Sequence, residues 1–401
     1  MRLSDWIAPG SRGYLLGIEI FLSLLSLLTV IFGALFAYRA GGGPTAVIAG
    51  FGCAFWYELV YYAPKALAEV VAGNLLLPAL YLGAYSDEGG RVNRRRLAGA
   101  CLLCGTVASL RVQAAPVVLV AIAWFCWKRW RDTVPVALVC VVLPVLVFGV
   151  VDAFTWSYPF QSFILNIRLN ASGVASRFGT EPIYWYGVQL VRHFGLLLPI
   201  ALLGIARLPF LGWIALAFLI PHSLIGHKEY RFLTPILAIV VILAAIGLAQ
   251  LCEWVNHKLS RPRTTAFVSA AGCAVLALLS IQMAWLFPRW RYGSAGNLLL
   301  RDLSADESLC GLGVVEDPWY EEAQYTYLHR NVPIYLIPRK ADLPQAQQSF
   351  NVMLSSAKLD ASASGFEPIQ CVDKTCLYRR PGGCASNPQF EINNFLKETN
   401  Q

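Results

Sequence analysis

Residues 227–249 read HKEYRFLTPILAIVVILAAIGLA, and this stretch decides the fold of the chain. From residue 234 to residue 249 it carries no ionisable side chain. An α-helix needs roughly twenty predominantly apolar residues to cross the hydrocarbon core of a bilayer. The stretch therefore predicts a membrane-spanning helix, and ionisable residues stand directly before it: His227, Lys228, Glu229 and Arg231.

The composition extends this prediction to most of the chain. Of the 401 residues, 57% are hydrophobic and only 14% are charged, whereas soluble domains carry about 25% charged residues. Twelve tryptophans and seventeen tyrosines are typical of the aromatic belts at the two membrane surfaces. The net charge of +8 comes from basic residues that lie between apolar runs. We interpret them as cytoplasmic-loop residues, so the expected partner is a membrane and not a nucleic acid.

Apolar runs follow one another along residues 1–288, which predicts an all-α polytopic membrane domain of about ten spans. Two short runs meet at Arg111, and we expect a pair of half-helices there. Non-helical backbone at membrane depth is tolerated only where it is buried in protein or lines a cavity. The runs lie at 14–38, 44–62, 66–85, 97–110, 112–127, 134–154, 190–206, 209–225, 232–251 and 265–287.

Arginine and lysine are concentrated in alternate connections between these runs. The dense clusters lie at 91–96, 128–131 and 258–263. Because cytoplasmic loops carry an excess of basic residues, we expect these clusters on the cytoplasmic side. The loop 155–189, the loop 226–231 and the tail from Pro288 then face outward. The reverse orientation would place the 91–96 cluster outside.

Residues 289–401 have a mixed composition, and we expect a small soluble α/β domain there. Three runs predict short strands: 310–315 (CGLGVV), 332–337 (VPIYLI) and 350–354 (FNVML). The seven other cysteines of the chain lie in or beside apolar runs, where they are expected to pack as small hydrophobes. A metal site is an alternative for the tail cysteines, although no histidine lies near them. Disulfides are the preferred interpretation for Cys310, Cys371, Cys376 and Cys384.

The charged segment before residue 234 is the first candidate site. Lys228 and Arg231 could hold a phosphate or pyrophosphate, arginine through two parallel hydrogen bonds and lysine as a point charge. Glu229 could orient them or accept a hydroxyl proton, and His227 could donate to a leaving oxygen. The alternative is a solvated turn with a local ion pair.

The letters HKEYRF at 227–232 closely resemble the HKE-x-RF signature of the family 22 mannosyltransferases in the glycosyltransferase C superfamily. That family includes enzymes of N-glycan and GPI-anchor assembly and bacterial relatives. The resemblance implies transfer of a hexose, with mannose expected, from a polyprenyl-phosphate donor to a lipid-linked or glycan acceptor. It requires no cofactor or metal. We expect a multi-pass protein of a bacterial inner membrane with a periplasmic tail, the lumen being the counterpart in an endoplasmic reticulum.

Further positions are assigned through the same resemblance. Lys65 and Glu69 match a basic and an acidic position of the family, and residues four apart can share one helix face; an ion pair at a span end is the alternative. Arg111 resembles a family arginine near the donor phosphate. The loop from Asp152 to Tyr186 is assigned to the sugar and acceptor cavity, through Asp152, Asn166, Asn170, Trp185 and Tyr186.

One departure from the family pattern concerns the catalytic base. The family carries an acidic pair in its first outer loop, and residues 2–10 (RLSDWIAPG) resemble the segment just downstream of that pair. We therefore expect the pair to lie upstream of Met1, with Asp5 as the nearby carboxylate of this chain. A misassigned start, a shortened chain and a loss of catalysis would each explain it. The polar start and the long first apolar run predict no cleavable signal peptide.

Two alternatives to an active transferase remain. A transporter of lipids or glycans is disfavoured because the chain shows no internal repeat and its polar motifs collect on one face. An inactive relative that binds a lipid-linked sugar is the other alternative, and the departure at the acidic pair supports it.

Overall fold

The computed structural model describes residues 12–88, 90–171, 179–258, 264–287, 294–316, 327–355, 365–392 and 394. The chain divides into two compact units. One is Gly17–Phe287, and the other combines Met1–Leu16 with Pro288–Gln401.

Helices dominate the first unit because nearly all of its apolar runs are rich in leucine, alanine and valine without charged interruptions. A two-stranded hairpin, β1 (Asp87–Glu88) and β2 (Arg91–Val92), joins two of them. The helices are α1 (Arg12–Phe55), α2 (Tyr57–Tyr62), α3 (Ala68–Ala84), α4 (Arg94–Leu110), α5 (Ala115–Cys126), α6 (Trp130–Thr155), α7 (Gln161–Ala171), α8 (Trp185–Phe194), α9 (Leu197–Arg207), α10 (Pro209–Leu224), α11 (Thr234–Lys258) and α12 (Thr265–Leu286).

The predicted number of spans is not confirmed by the lengths of the helices. By length and composition, four stretches of the described chain can cross a membrane: Gly13–Phe55, Trp130–Thr155, Tyr230–Lys258 and Thr265–Leu286. The pair α8 and α9 counts as a fifth if a bend of 101° is allowed within one span. The predicted count of about ten is not confirmed, because α3 and α10, with 17 and 16 residues, are shorter than the roughly twenty residues of a typical crossing.

Helix breaks account for the other differences from the predicted runs. The first two runs merge into α1, which is interrupted at Gly42 by a φ of 77°. The second run then stops at Trp56, where α2 begins separately. The run 190–206 was predicted as one span, but it bends at Gly195, whose φ is +50°. Glycine reaches these left-handed conformations without the steric cost that a Cβ would impose.

Helix α11 forms the centre of the first unit. Its most apolar window is 94% buried, whereas the corresponding windows of the other three candidate spans are at most 28% buried. It packs against α3, α9, α10 and α12. The contact with α9 is close, because a Cβ on Gly204 would meet the carbonyl oxygen of Leu243 and a Cβ on Gly247 would meet that of Ile200. Small residues of this kind allow two helix backbones to approach each other.

The second unit contains α13 (Ser294–Leu303), α14 (Leu343–Ala346) and a five-stranded mixed sheet. Strand order is β4-β3-β5-β7-β6, in which β3 pairs in parallel with β4 and β5, and β7 pairs antiparallel with β5 and β6. The strands are β3 (Leu312–Val315), β4 (Ile334–Ile337), β5 (Val352–Ser355), β6 (Glu367–Val372) and β7 (Thr375–Arg379). This sheet confirms the three predicted strands, each with slightly different ends.

Disulfides join Cys310 to Cys384 and Cys371 to Cys376, as the interpretation of the tail cysteines predicted. The second bridge links residues that face each other across the β6–β7 hairpin. In the first unit Cys53, Cys101, Cys104 and Cys126 are buried and reduced, and Cys140, Cys252 and Cys273 are half-buried and reduced. Their positions agree with a packing role.

We expect Gly247→Ala to destabilise the protein by roughly 1–3 kcal/mol, because the added Cβ would meet backbone of α9 that cannot rotate away. Thermal unfolding in detergent measures this change. Gly17→Ala is the matched control, since its Cβ would meet nothing within 4 Å. Equal stability of Gly247→Ala and the wild type would contradict the close approach of α9 and α11.

The two disulfides are expected to contribute unequally to the stability of the tail. Cys310 and Cys384 are separated by 74 residues and Cys371 and Cys376 by 5, so loop-closure entropy predicts contributions of about 4 and about 2 kcal/mol. Proteolysis of the tail in increasing urea should begin earlier in Cys310→Ser/Cys384→Ser than in Cys371→Ser/Cys376→Ser. The opposite order would reject this ranking.

Candidate active site

Arg111 lies at the break between α4 and α5. It ends α4 in an extended conformation, and a single 3-10 turn, Val112–Ala114, separates it from α5. Its Nη1 donates to Oε1 of Glu69 across 2.6 Å, and the two side chains are 11% and 7% exposed. The structure thus confirms the predicted break at Arg111 and supplies the anionic partner that a buried arginine needs.

Glu229 holds two neighbours of the HKEYRF segment together. Its Oε1 accepts a hydrogen bond from Arg231 Nη2 across 2.9 Å, and its Oε2 lies 2.7 Å from Arg231 Nε. The same Oε1 lies 3.1 Å from Nε2 of His227. Arg231 is 39% exposed and Glu229 is 35% exposed, so this pair is accessible while Arg111 is nearly enclosed.

The ring of Phe232 gathers these groups in one place. The guanidinium of Arg111 lies 4.6 Å from the ring centre, that of Arg231 lies 5.7 Å away, and the His227 ring lies 6.0 Å away. Cation–π attraction favours such positions. Sequence reasoning did not select Phe232 as a site residue, although it is part of the quoted motif. We refer to the following residues as the arginine cluster: Glu69, Arg111, His227, Glu229, Arg231 and Phe232.

Lys228 points away from this cluster and into the backbone. Its Nζ donates to the carbonyl oxygen of Glu181 across 2.8 Å and to that of Ile225, and the residue is only 6% exposed. The N–H of Glu181 donates in turn to the oxygen of Gly226 across 3.0 Å. Burial lowers the pKa of Lys228, an effect that the nearby Glu181 partly offsets. Lys228 therefore links two connections through hydrogen bonds, the one before α8 at Glu181 and the one before α11 at Ile225.

Tyr186 and Trp185 stand at the start of α8. Tyr186 is 1% exposed, and its hydroxyl is hydrogen-bonded to the backbone of Glu229. Trp185 packs edge-on against it, with ring centres 5.2 Å apart. The loop assigned to the sugar cavity thus reaches the HKEYRF segment through Tyr186.

Asp152 and Asn166 connect the intervening helices. Asp152 is 3% exposed, and its carboxylate accepts from the backbone N–H and the hydroxyl of Ser162, which joins the end of α6 to the start of α7. Asn166 Oδ1 accepts from Gln113 Nε2 across 3.0 Å, which places α7 beside the turn that follows Arg111. The side chain of Asn170 and all of Asp5 lie outside the described residues.

Lys65 takes a different position from the predicted one. It lies in the connection before α3, is exposed, and its Nζ is 5.0 Å from the ring centre of Tyr61. The prediction that Lys65 and Glu69 share a helix face is wrong, because α3 begins only at Ala68. The carboxylate of Glu69 turns to Arg111 instead.

A cavity of about 980 Å³ opens at the other end of α3, about 21 Å along the helix from Glu69. Its walls are mainly apolar and include Trp124, Trp127 and Trp213. It is therefore separate from the arginine cluster. Within the part of the chain that the structure describes, no group of three histidine, cysteine or carboxylate side chains could hold a metal.

The arrangement agrees with a match to a family of known proteins. Residues 16–297 match the model of the Alg9-like mannosyltransferase family. The chain belongs to this family. The match covers the whole of the first unit, including every member of the arginine cluster, and it confirms the resemblance seen in the HKEYRF motif.

Curated relatives of this Alg9-like chain include mannosyltransferases of a plant and of yeasts. It is 30% identical over 165 residues to a Dol-P-Man:Man(7)GlcNAc(2)-PP-Dol alpha-1,6-mannosyltransferase of Arabidopsis thaliana. The aligned region covers 38% of this chain and 32% of the relative. It is 23% identical over 277 residues to GPI mannosyltransferase 3 of Yarrowia lipolytica, which covers 66% of this chain and 50% of the relative. The chain therefore spans about a third to a half of the length of these relatives.

Solved structures provide the fold. ArnT from Cupriavidus metallidurans, in a crystal structure bound to undecaprenyl phosphate, superimposes with a TM-score of 0.60. The superposition covers 92% of this chain and 85% of ArnT at 12% sequence identity. The Alg9-like chain accordingly has the glycosyltransferase C fold, as the sequence predicted, with a small C-terminal sheet.

We expect Glu69→Leu to destabilise the protein by about 3 kcal/mol, because it leaves the guanidinium of Arg111 buried without its carboxylate. The double variant Glu69→Leu/Arg111→Met should recover most of this loss, since it removes both charges. Thermal unfolding in detergent compares the two. A double variant as unstable as the single one would contradict the pairing.

Proposed function

We propose that this protein is an integral-membrane glycosyltransferase that transfers a hexosyl residue, mannose by family membership, from a polyprenyl-phosphate donor. The acceptor is a lipid-linked or glycan hydroxyl, and the reaction takes place on the non-cytoplasmic face. The observation that carries the proposal is the position of two arginines, Arg111 and Arg231. They are far apart in the sequence, but both guanidinium groups lie against the ring of Phe232. They stand where the apolar helix α11 begins.

The arginines have the chemistry to bind a lipid phosphate. A guanidinium offers five N–H donors, and Glu69 and Glu229 use only some of them. The Nε of Arg111 is buried and has no hydrogen-bond partner among the described residues, so the pairing with Glu69 leaves one donor of this guanidinium unsatisfied. Carboxylate partners hold both side chains in position before the ligand arrives, which reduces the cost of ordering them.

The proposed reaction inverts the anomeric carbon. The acceptor oxygen forms a bond to that carbon while the bond to the phosphate oxygen breaks, and the lipid phosphate leaves with the electron pair. Positive charge at Arg111 and Arg231 stabilises the charge that develops on the phosphate. A carboxylate takes the proton of the acceptor hydroxyl. Glu69 and Glu229 already face arginines, so we assign that role to the first outer loop, with Asp5 as its candidate here.

The sugar and the acceptor are assigned to the region next to Trp185 and Tyr186. Aromatic rings and amides such as Asn166 stack on sugars and hydrogen-bond to them. Tyr186 touches the backbone of Glu229, so a sugar held there would lie close to the phosphate groups. In this scheme residues 1–288 form the membrane domain, and residues 289–401 form a soluble periplasmic or lumenal domain.

We expect Arg231→Ala to lower kcat/KM by about 10²–10³-fold, because it removes charge stabilisation at the leaving phosphate. Arg231→Lys should retain part of the activity, since a lysine keeps the charge but not the planar geometry. The measurement is mannosyl transfer by protein in detergent from dolichyl- or undecaprenyl-phosphate mannose to a mannosyl-lipid acceptor. Arg207→Ala, an exposed arginine at the far end of α9, is the control and should behave as the wild type.

The same assay separates the proposal from its alternatives. Undecaprenyl phosphate that binds to the wild type and is lost in Arg231→Ala, without any transfer, would favour an inactive binding relative. Transfer that survives Arg231→Ala at the wild-type rate would reject the assignment of the phosphate site.

A further inference from the structure

Two ionisable residues outside the arginine cluster are buried together. Glu58 in α2 is 1% exposed and His193 in α8 is 2% exposed. Nδ1 of His193 lies 3.3 Å from Oε1 of Glu58. Neither residue belongs to the HKEYRF motif, and sequence reasoning selected neither. Burying such groups in an apolar unit is costly unless they are paired, so their presence calls for a reason.

A hydrogen bond to Tyr57 and the close contact with Glu58 hold the histidine ring, and neither carboxylate oxygen of Glu58 has a hydrogen-bond partner among the described residues. The hydroxyl of Tyr57 lies 2.8 Å from the same Nδ1. Tyr57 is itself held, because its N–H donates to the hydroxyl of Ser280 across 2.9 Å, and that hydroxyl donates to the oxygen of Phe55 across 2.9 Å. The backbone break between α1 and α2 is thereby tied to α12, and Glu58 and Tyr57 approach His193 from a rigid support.

The same ring reaches the motif from behind. His193 is stacked between Tyr230, with ring centres 4.1 Å apart, and Phe287, with ring centres 4.2 Å apart. Tyr230 is 8% exposed and lies between Glu229 and Arg231 in sequence. A movement of the His193 ring would therefore displace the residue that separates the two members of the exposed ion pair.

We propose that Glu58 and His193 are positioning residues, whose buried pairing holds Tyr230 and thereby sets Glu229 and Arg231 in the geometry that binds the donor phosphate. This inference rests on the proposed function of the arginine cluster. A phenylalanine at position 193 could fill the space between the two rings. It could not form the hydrogen bond to Tyr57 or the contact with Glu58, and these two interactions set the orientation of the His193 ring. Supporting residues of this kind fix a site because small misplacements of the reacting groups reduce rates strongly.

The test compares His193→Phe, Glu58→Gln and the double variant with the wild type in two measurements. The first is the kinetics of mannosyl transfer from undecaprenyl-phosphate mannose. We expect each single variant to lower kcat by about tenfold to a hundredfold. The kcat of the double variant should be no lower than that of the less active single variant, because both changes disrupt the same interaction. The second is backbone hydrogen exchange over residues 226–233, which should become faster in each variant.

The control is Thr29→Val, which removes a buried hydrogen bond of 2.7 Å between Thr29 and Asn74 elsewhere in the first unit. It should leave both measurements unchanged. If Glu58→Gln does not yield monodisperse protein, His193→Gln replaces it. The glutamine keeps a polar side chain but loses the ring stacking on Tyr230 and Phe287, so this variant should also accelerate exchange.

The outcomes separate this inference from the proposed function. A wild type without transfer would count against the proposed function, and the exchange measurement would still decide the inference. Faster exchange at 226–233 in the variants, with Thr29→Val unchanged, supports the positioning role. Wild-type exchange and wild-type kinetics in His193→Phe would overturn it, since packing alone would then suffice.

Discussion

The burial of α11 is the constraint on which the rest of the first unit depends. This helix is enclosed from Thr234 to Ala249 by α3, α9, α10 and α12, and its contact with α9 is close enough to exclude a Cβ at Gly247. A helix surrounded on all sides cannot shift or rotate without disrupting its neighbours. The segment 227–233, which precedes α11, therefore has a fixed position. At the junction the hydroxyl of Thr234 donates a hydrogen bond to the carbonyl oxygen of Arg231.

Charge pairing decides what that place can do. An arginine in an apolar helical unit persists only with an anionic partner, and the structure supplies Glu69 for Arg111 and Glu229 for Arg231. The pair of Arg111 and Glu69 is nearly enclosed, whereas the pair of Arg231 and Glu229 is exposed. Arg111 is therefore held in place by its surroundings, and Arg231 is the cation that solvent can reach. Lys228, which has the same charge, instead bonds to backbone carbonyls and shapes the loop. Charge alone does not identify the residues that face a ligand.

The tail illustrates where sequence patterns lose information. Strands β3, β4 and β5 are buried apolar runs, which made them visible in the sequence. The hairpin of β6 and β7 was not predicted, because β6 lies at the sheet edge and exposes nearly all of its residues. The disulfides were expected from the cysteine count and the non-cytoplasmic setting. Their pairing follows only from the sheet, which brings Cys371 opposite Cys376.

The sequence by itself determined the membrane class, the helical fold, the break at Arg111 and the family motif, because these depend on local hydropathy and on residues adjacent in the chain. It did not determine the number of full spans, because the bend at Gly195 and the lengths of α3 and α10 depend on how helices end and pack. Only the tertiary structure brought Glu69 to Arg111, both arginines to Phe232, and Glu58 to His193. These partners are far apart in sequence, and their contacts exist only once the helices around α11 have assembled.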